Sequence, residues 1–249
     1  MAAQPLRVFI LNPVLRDVDE RRASQRRQAL LELSKTIPSD VKLEFRDLDR
    51  GAETVESYYD EYVGVADMVE KAVEAEKDGV DAVVINCFMN PALEGLRELL
   101  EIPVVGAGEA ALYLASMLAD NFSVLDPDPP PRSYTHKLVS ALGLTHKLRS
   151  VRYLRLGVAG LCEDFDETLN KMITEALKAV EEDGAHAIVL GCTGMRGYAM
   201  KISEGVKPYG VPVIEPLSAA IAMATLLVRL GLGQSRLSYP KPSEKRRVA

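Results

Sequence analysis

The sequence has 249 residues, of which 47% are hydrophobic and 27% charged, the balance of a globular protein with one large domain or two of ordinary size. Its net charge of −6 disfavours nucleic acid and anionic membranes as partners, because both favour a basic surface. No apolar run approaches the roughly 18 residues of a membrane span. The N-terminus lacks a signal-peptide pattern and the cysteines form no CxxC pair, so we expect a cytoplasmic protein without membrane partners.

Short apolar runs bounded by turn signals alternate with longer segments of helical spacing, which is typical of α/β architecture with parallel strands buried on both faces. The predicted strands are Val8–Leu11, Ala82–Ile85, Val104–Val105, Phe122–Leu125, Ala187–Leu190 and Val213–Ile214. The predicted helices are Arg22–Ile37, Tyr62–Lys77, Glu94–Leu100, Glu109–Ala119, Asp166–Glu181 and Leu217–Leu230.

The two halves of the chain repeat one another. Residues 78–87 align without a gap with residues 183–192, residues 102–111 align with 211–220, and residues 8–13 align with 122–127. Shared composition of buried strands explains the valines and isoleucines, but it does not explain matching Asp-Gly, Cys, Pro and Asn/Asp-Pro positions. We therefore interpret the chain as an internal duplication.

A duplicated α/β unit predicts two pseudo-symmetric lobes, one formed by residues 1–105 and 215–249 and the other by 106–214. Ligands of open α/β sheets bind beyond the carboxyl ends of the strands. The repeat places three residue pairs there, one from each half: Asn12 with Asp126, Cys87 with Cys192, and Gly106 with Glu215. The sequence thus predicts a site in the cleft between the lobes.

The paired cysteines, Cys87 and Cys192, each follow a buried strand and precede a helical segment. Amide donors at a helix start favour a thiolate, so we expect each thiol pKa to fall from roughly 8.5 toward neutrality. One thiolate then removes a proton from a stereocentre while the opposed thiol protonates the other face. Two equivalent bases suit the interconversion of mirror images, and amides of the loops 88–92 and 193–197 would stabilise an enolate-like oxygen.

Three segments resemble the cofactor-independent aspartate/glutamate/hydantoin racemase superfamily, most closely its hydantoin and allantoin racemase branch. These segments are residues 85–93 (INCFMNPAL), 103–111 (PVVGAGEAA) and 189–195 (VLGCTGM), and Asn12-Pro13 after the first strand matches as well. The matching segments spread from residue 7 to about residue 220 in the order typical of the superfamily.

The resemblance implies two flavodoxin-like lobes, a small-molecule substrate, no cofactor such as pyridoxal phosphate, and no metal. It makes Cys87 and Cys192 the acid–base pair. It also implies that Asn12 and the backbone amides after each cysteine hold the carboxylate or imide of the substrate. The resulting substrate-binding candidates are Asn12, Phe88, Asn90, Asp126, Thr193, Gly194 and Met195.

Three segments depart from the branch. Asn90-Pro-Ala-Leu93 replaces Asp-Pro-Gly-Leu, Asp126-Pro-Asp128 replaces threonines, and Asn12-Pro-Val14 replaces Asn-Pro-Asn. The added carboxylates disfavour an anionic substrate unless Arg16 or Arg132 offsets them. Because these departures lie where a substrate is selected, the sequence predicts the reaction type more firmly than the substrate, which is a hydantoin-like ring or an amino acid.

Other interpretations stay open. Cys162 has no counterpart in the repeat and is expected to be structural, and scattered histidines make a zinc site improbable. Asn12 and Asp126 also suit helix caps or Asx turns. A decarboxylase or cis–trans isomerase of the same superfamily, or a non-catalytic binding module, would share the scaffold. The apolar segment 219–232 is compatible with a homo-oligomer.

Overall fold

The computed structural model describes residues 5–16, 24, 33, 37–128, 134–161 and 163–246. The first half contains the strands β1 (Leu6–Leu15), β2 (Val41–Leu48), β3 (Ala82–Ile85) and β4 (Val104–Gly106). Its helices are α1 (Tyr58–Lys77), α2 (Leu93–Leu99) and α3 (Ala107–Leu118). The helix predicted over 22–37 falls, apart from single positions, outside the described residues.

The second half contains the strands β5 (Phe122–Asp126), β6 (Leu148–Tyr153), β7 (Ile188–Leu190) and β8 (Val213–Ile214). Its helices are α4 (Tyr134–Ala141), α5 (Gly157–Gly160), α6 (Phe165–Glu181), α7 (Ala199–Val206) and α8 (Pro216–Arg229). Two 3₁₀ helices, Thr193–Tyr198 and Lys207–Tyr209, flank α7.

The strands form two parallel four-stranded sheets with the same order. The first sheet runs β2-β1-β3-β4 and the second runs β6-β5-β7-β8, so each strand has a counterpart in the other sheet. This is the strand order of flavodoxin-like folds without the fifth strand. The predicted α/β fold of two lobes with parallel sheets is confirmed.

Alternating residues of the central strands supply separate cores. In β1, Val8 and Ile10 face a core shared by both sheets, whereas Phe9 and Leu11 face a core beneath α1 and α2. In β7, Val189 faces the shared core and Leu190 faces a core beneath α6. Burial on both faces explains the continuous apolar runs from which these strands were predicted.

Helices α3 and α8 pack against each other and contribute to the shared core. Helix α8 contacts β1, β3 and β4 of the first sheet, although it comes from the end of the chain. Helix α3 contacts β4 of the first sheet and β7 and β8 of the second. These contacts place α8 against the first sheet, and the division into residues 1–105 with 215–249 and residues 106–214 remains a proposal.

Two strands, β2 and β6, were not predicted. Their sequences, VKLEFRDL and LRSVRY, mix apolar and charged residues, and most of their side chains are only partly buried. Both are edge strands, which need charged side chains to discourage pairing with other chains. These two edge strands therefore lack the continuous apolar run that marks the central strands.

Candidate active site

Cys87 and Cys192 occupy equivalent places in the two sheets. Each lies two residues beyond the end of a strand, β3 for Cys87 and β7 for Cys192, and both carry free thiols in half-buried residues. The negative charge of Cys87 raises the pKa of Cys192, so the two sulfurs lie within electrostatic reach of one another. The strand ends thus bring together the pair that the repeat predicted.

Backbone amides act on both sulfurs, but only Cys192 stands at the start of a helix. The Gly194 amide donates to Cys192 Sγ at 3.3 Å, and Cys192 caps the 3₁₀ helix Thr193–Tyr198. The amides of Met89 and Asn90 act on Cys87, but α2 begins only at Leu93. The expectation of a helix start is therefore met at Cys192 and replaced by a non-helical loop at Cys87.

The expected lowering of the thiol pKa values is wrong, because both are raised. Burial raises the pKa of Cys87 to about 12, against the opposing effect of the Met89 amide, and the charge of Glu61 raises it further. Burial also raises the pKa of Cys192, against the Gly194 amide, and the charges of Cys87 and Asp126 act in the same direction. Removing a thiolate from water costs more than one or two amides return.

The Cys87 loop packs directly on the start of α3, and two glycines make this approach feasible. A Cβ atom at Gly108 would lie 1.9 Å from the Phe88 carbonyl oxygen, and one at Gly106 would lie 2.5 Å from Asn90 Oδ1. The Gly108 amide donates to Asn90 Oδ1 at 2.9 Å, which ties the loop to the helix. The Gly-Ala-Gly segment therefore serves close packing beside Cys87.

The same loop contains two non-glycine residues in the left-handed region, Asn90 at φ 56° and Ala92 at φ 60°. Ala92 stands where the resembling branch has glycine, the residue that adopts this conformation without steric cost. The loop keeps the left-handed turn despite that substitution.

Asn12 lies at the carboxyl end of β1 in a hydrogen-bonded row. Its Nδ2 donates to Asp47 Oδ1 at 2.7 Å, and its Oδ1 accepts from Asn86 Nδ2 at 2.6 Å. Across the cleft, Thr193 Oγ1 donates to the Asn86 carbonyl oxygen at 3.2 Å. Two predicted binding residues, Asn12 and Thr193, thus meet at Asn86.

Asp126, the counterpart of Asn12, lies buried at the end of β5. One of its oxygens accepts from the Asp128 amide at 3.0 Å, and the other accepts from Thr135 Oγ1 at 2.7 Å. The first contact is an Asx turn, the alternative that the sequence left open. Asp126 nevertheless contributes charge to the site through its effect on Cys192.

Two other candidates have side chains that pack into hydrophobic cores. Phe88 is 5% exposed and belongs to the core shared by both sheets, while Met195 is fully buried in the core beneath α6. In this conformation their backbone groups are what the loops present. The side chain of Asn90 is buried against α3, and exposed Gly194 contributes its amide to Cys192.

Sequence reasoning missed Asn86 and Glu61. Asn86 precedes Cys87 at the position where the second half has Gly191, and an amide at the end of a buried strand was the available signal. Glu61, in the first turn of α1, acts on Cys87, and burial raises its own pKa. No spacing in the sequence connects Glu61 to the strand ends.

The histidines were considered as ligands of a zinc site. Among the described residues, no three His, Cys, Asp or Glu side chains cluster as a metal centre would require. Cys162 lies outside the described residues. No described helix is both long enough and apolar enough to cross a membrane.

Comparisons with known proteins agree with this geometry. The family model for Asp/Glu/Hydantoin racemase matches residues 27–224. The chain is 41% identical to the hydantoin racemase of Paenarthrobacter aurescens over 79% of this chain and 83% of the relative. It is 37% identical to the hydantoin racemase of Pseudomonas sp. (strain NS671), over 84% of this chain and 82% of the relative.

A solved structure extends the likeness to nearly the whole chain. The allantoin racemase from Klebsiella pneumoniae superposes with a TM-score of 0.87 at 28% identity, covering 98% of this chain and 96% of that one. The sequence match, the shared fold and the paired strand-end cysteines lead to one conclusion: this chain belongs to the Asp/Glu/hydantoin racemase family.

Proposed function

We propose that this protein is a cofactor-independent racemase that acts on a small molecule, with Cys87 and Cys192 as alternating base and acid. The observation that carries the proposal is the equivalent placement of two free thiols at the ends of β3 and β7. Each sulfur is approached by the amide two residues later, from Met89 in one loop and Gly194 in the other. Equivalent surroundings suit a reaction whose substrate and product are mirror images.

The reaction moves one proton on each face of a carbon. A thiolate takes the proton from a carbon next to a carbonyl, which breaks a C–H bond, forms an S–H bond and leaves an enolate. The opposed thiol then protonates the other face and becomes the thiolate. Mutual repulsion between Cys87 and Cys192 favours the state with a single thiolate, which is the state that this exchange needs.

The charges around the thiols favour a neutral substrate. Glu61 acts on Cys87, and Asp126 and Asp128 act on Cys192, all with negative charge. An anionic amino acid would add a further negative charge to this surrounding. We therefore infer that the substrate is a hydantoin-like ring, in which the acidic carbon lies between a ring carbonyl and a ring nitrogen. Separately, the free thiols Cys87 and Cys192 suit a reducing compartment, and we infer that the protein acts in the cytoplasm.

Proton NMR in deuterium oxide tests the proposal on 5-substituted hydantoins, allantoin, aspartate and glutamate. The wild type is expected to exchange the α-proton and abolish the optical rotation of at least one ring compound. Cys87→Ser and Cys192→Ser are each expected to lower racemisation by at least about a hundredfold, the lower end of what general acid–base catalysis contributes.

Cys162→Ser is the matched control, because Cys162 has no counterpart in the repeat. It is expected to retain wild-type racemisation. Full racemisation by either single-thiol variant would contradict the opposed-cysteine mechanism. Release of carbon dioxide with uptake of one deuteron would identify a decarboxylase, and binding without any exchange would identify a binding module.

A further inference from the structure

Three side chains form a hydrogen-bonded row beside Cys87, and the last member of the row retains an unused group. Asp47 Oδ1 accepts from Asn12 Nδ2 at 2.7 Å, and Asn12 Oδ1 accepts from Asn86 Nδ2 at 2.6 Å. The oxygen of the last side chain, Asn86 Oδ1, is buried and has no hydrogen-bond partner. A buried acceptor of this kind calls for an explanation, because such groups are paired in most proteins.

The row fixes which way each amide points. A carboxylate only accepts, so Asn12 must turn its NH₂ group toward Asp47 and its oxygen toward Asn86. Asn86 must then turn its own NH₂ group toward Asn12, which leaves Asn86 Oδ1 as the remaining group. Flipping the Asn86 amide alone would break its bond to Asn12 and set two oxygens against each other, and flipping both amides would break the bond to Asp47 instead.

Asn86 also lies where the two sheets meet. It immediately precedes Cys87, and its carbonyl oxygen accepts from Thr193 Oγ1, the residue next to Cys192. The unused oxygen therefore belongs to a residue in contact with both cysteine loops. A molecule held between the two thiols would be close to it.

We propose that Asn86 Oδ1 accepts a hydrogen bond from the substrate N–H attached to the reacting carbon, and that Asp47 and Asn12 are positioning residues for this acceptor. The inference rests on the proposed function and adds that the substrate is a cyclic amide or ureide with a free N–H at that atom. Because Asn86 Oδ1 is buried, little water competes for a hydrogen bond formed there, and the bond is correspondingly stronger.

Methylated ring compounds separate this contact from a general structural role. Hydantoin and 3-methylhydantoin keep the N–H beside the reacting carbon, whereas 1-methylhydantoin lacks it. The dissociation constants of all three are measured by calorimetric titration. The wild type is expected to bind 1-methylhydantoin more weakly than the other two compounds.

In Asn86→Ala the preference for hydantoin over 1-methylhydantoin is expected to fall about two- to tenfold, the range of one neutral hydrogen bond. Asp47→Ala keeps Asn86 but removes the contact that orients Asn12. The preference is therefore expected to fall less than in Asn86→Ala. A structural role would weaken all three compounds equally and leave their ratio unchanged.

Asn121→Ala is the matched control, because Asn121 lies before β5, at the opposite end of the strand, where it accepts from the His186 amide. It is expected to leave every ratio at the wild-type value, and thermal unfolding confirms that each variant is folded. An unchanged ratio in Asn86→Ala, or equal wild-type binding of hydantoin and 1-methylhydantoin, would overturn the inference.

The outcome is separable from the outcome for the proposed function. Selective binding without exchange of the α-proton would support the acceptor and reject the racemase. Exchange of the α-proton with an unchanged ratio would support the racemase and reject the acceptor. Failure to bind any of the three compounds would reject the acceptor, whereas the racemase is judged separately by exchange of the α-proton.

Discussion

Each catalytic candidate thiol is subject to opposing influences. Burial and neighbouring negative charge raise the pKa values of Cys87 and Cys192, while backbone amides from their own loops lower them. The first influence is larger, so the pKa of each thiol lies above its ordinary value. A substrate that donates hydrogen bonds to one sulfur and separates it from the other would lower the pKa of the first thiol. It would thereby favour a single thiolate.

The thiolate fraction of Cys87 should therefore be small at pH 7 and rise with pH. Because its pKa is raised to about 12, alkylation of Cys87 by iodoacetamide is expected to accelerate about tenfold for each pH unit between 7 and 10. Mass spectrometry of the Cys87 peptide measures this rate. A rate that levels off below pH 9 would show that the amides outweigh burial.

At the scale of the secondary-structure elements, the sequence predicted the strands that are buried on both faces of a sheet. Continuous apolar runs identified β1, β3, β5 and β7, and the repeat identified Cys87 and Cys192 at equivalent strand ends. The half-exposed edge strands β2 and β6 were not predicted, because their charged residues interrupt the apolar runs.

The finer parts of the site were not predictable because they depend on contacts between distant segments. Asn86 gains its significance from Asp47 and Thr193, which lie far from it in sequence. Phe88 follows Cys87 and was therefore a substrate-binding candidate, yet its ring packs in the core shared by both sheets. No local pattern distinguishes these outcomes.

The contact between the Cys87 loop and α3 depends on Gly108. A Cβ atom at Gly108 would lie 1.9 Å from the Phe88 carbonyl oxygen, so Gly108→Ala is expected to destabilise the fold by about 1–3 kcal/mol and to displace the loop. Gly95→Ala is the matched control, because a Cβ there meets nothing within 4 Å. It should stabilise α2 by about 0.5–1 kcal/mol.

Urea unfolding measures both changes, and racemisation measures the displacement of the loop. Gly108→Ala is expected to lose activity even under conditions in which it is fully folded. A variant with wild-type stability would mean that the loop and α3 separate at little cost, and that the glycine is not needed for their approach.

At the scale of the whole molecule, side-chain contacts outside the two cysteine loops also join the two halves. Glu56 Oε1 accepts from the amides of Val158 and Ala159, at 2.8 and 3.3 Å. Nearby, the ring of Tyr58 meets the edge of Tyr134 with centroids 4.8 Å apart. These contacts connect Glu56 with α5 and the first residue of α1 with α4, so they join the two halves.

Loss of this connection is expected to weaken ligand binding more than stability. Glu56→Ala should raise the dissociation constant of hydantoin about two- to tenfold, because the halves close less firmly around the ligand. Glu53→Ala, at an exposed position, is the matched control and should bind as the wild type does. Equal binding by both variants would show that Glu56 does not contribute to closure.

The central claim is that two different thiols handle the proton on the two faces of one carbon. The most direct measurement starts from a single enantiomer in deuterium oxide and follows the isotope at early times, after subtraction of uncatalysed exchange. The account predicts that the product enantiomer carries deuterium at the reacting carbon while the unreacted enantiomer retains protium. Deuterium in the unreacted enantiomer at the same rate would indicate a single base on one face and would contradict the account.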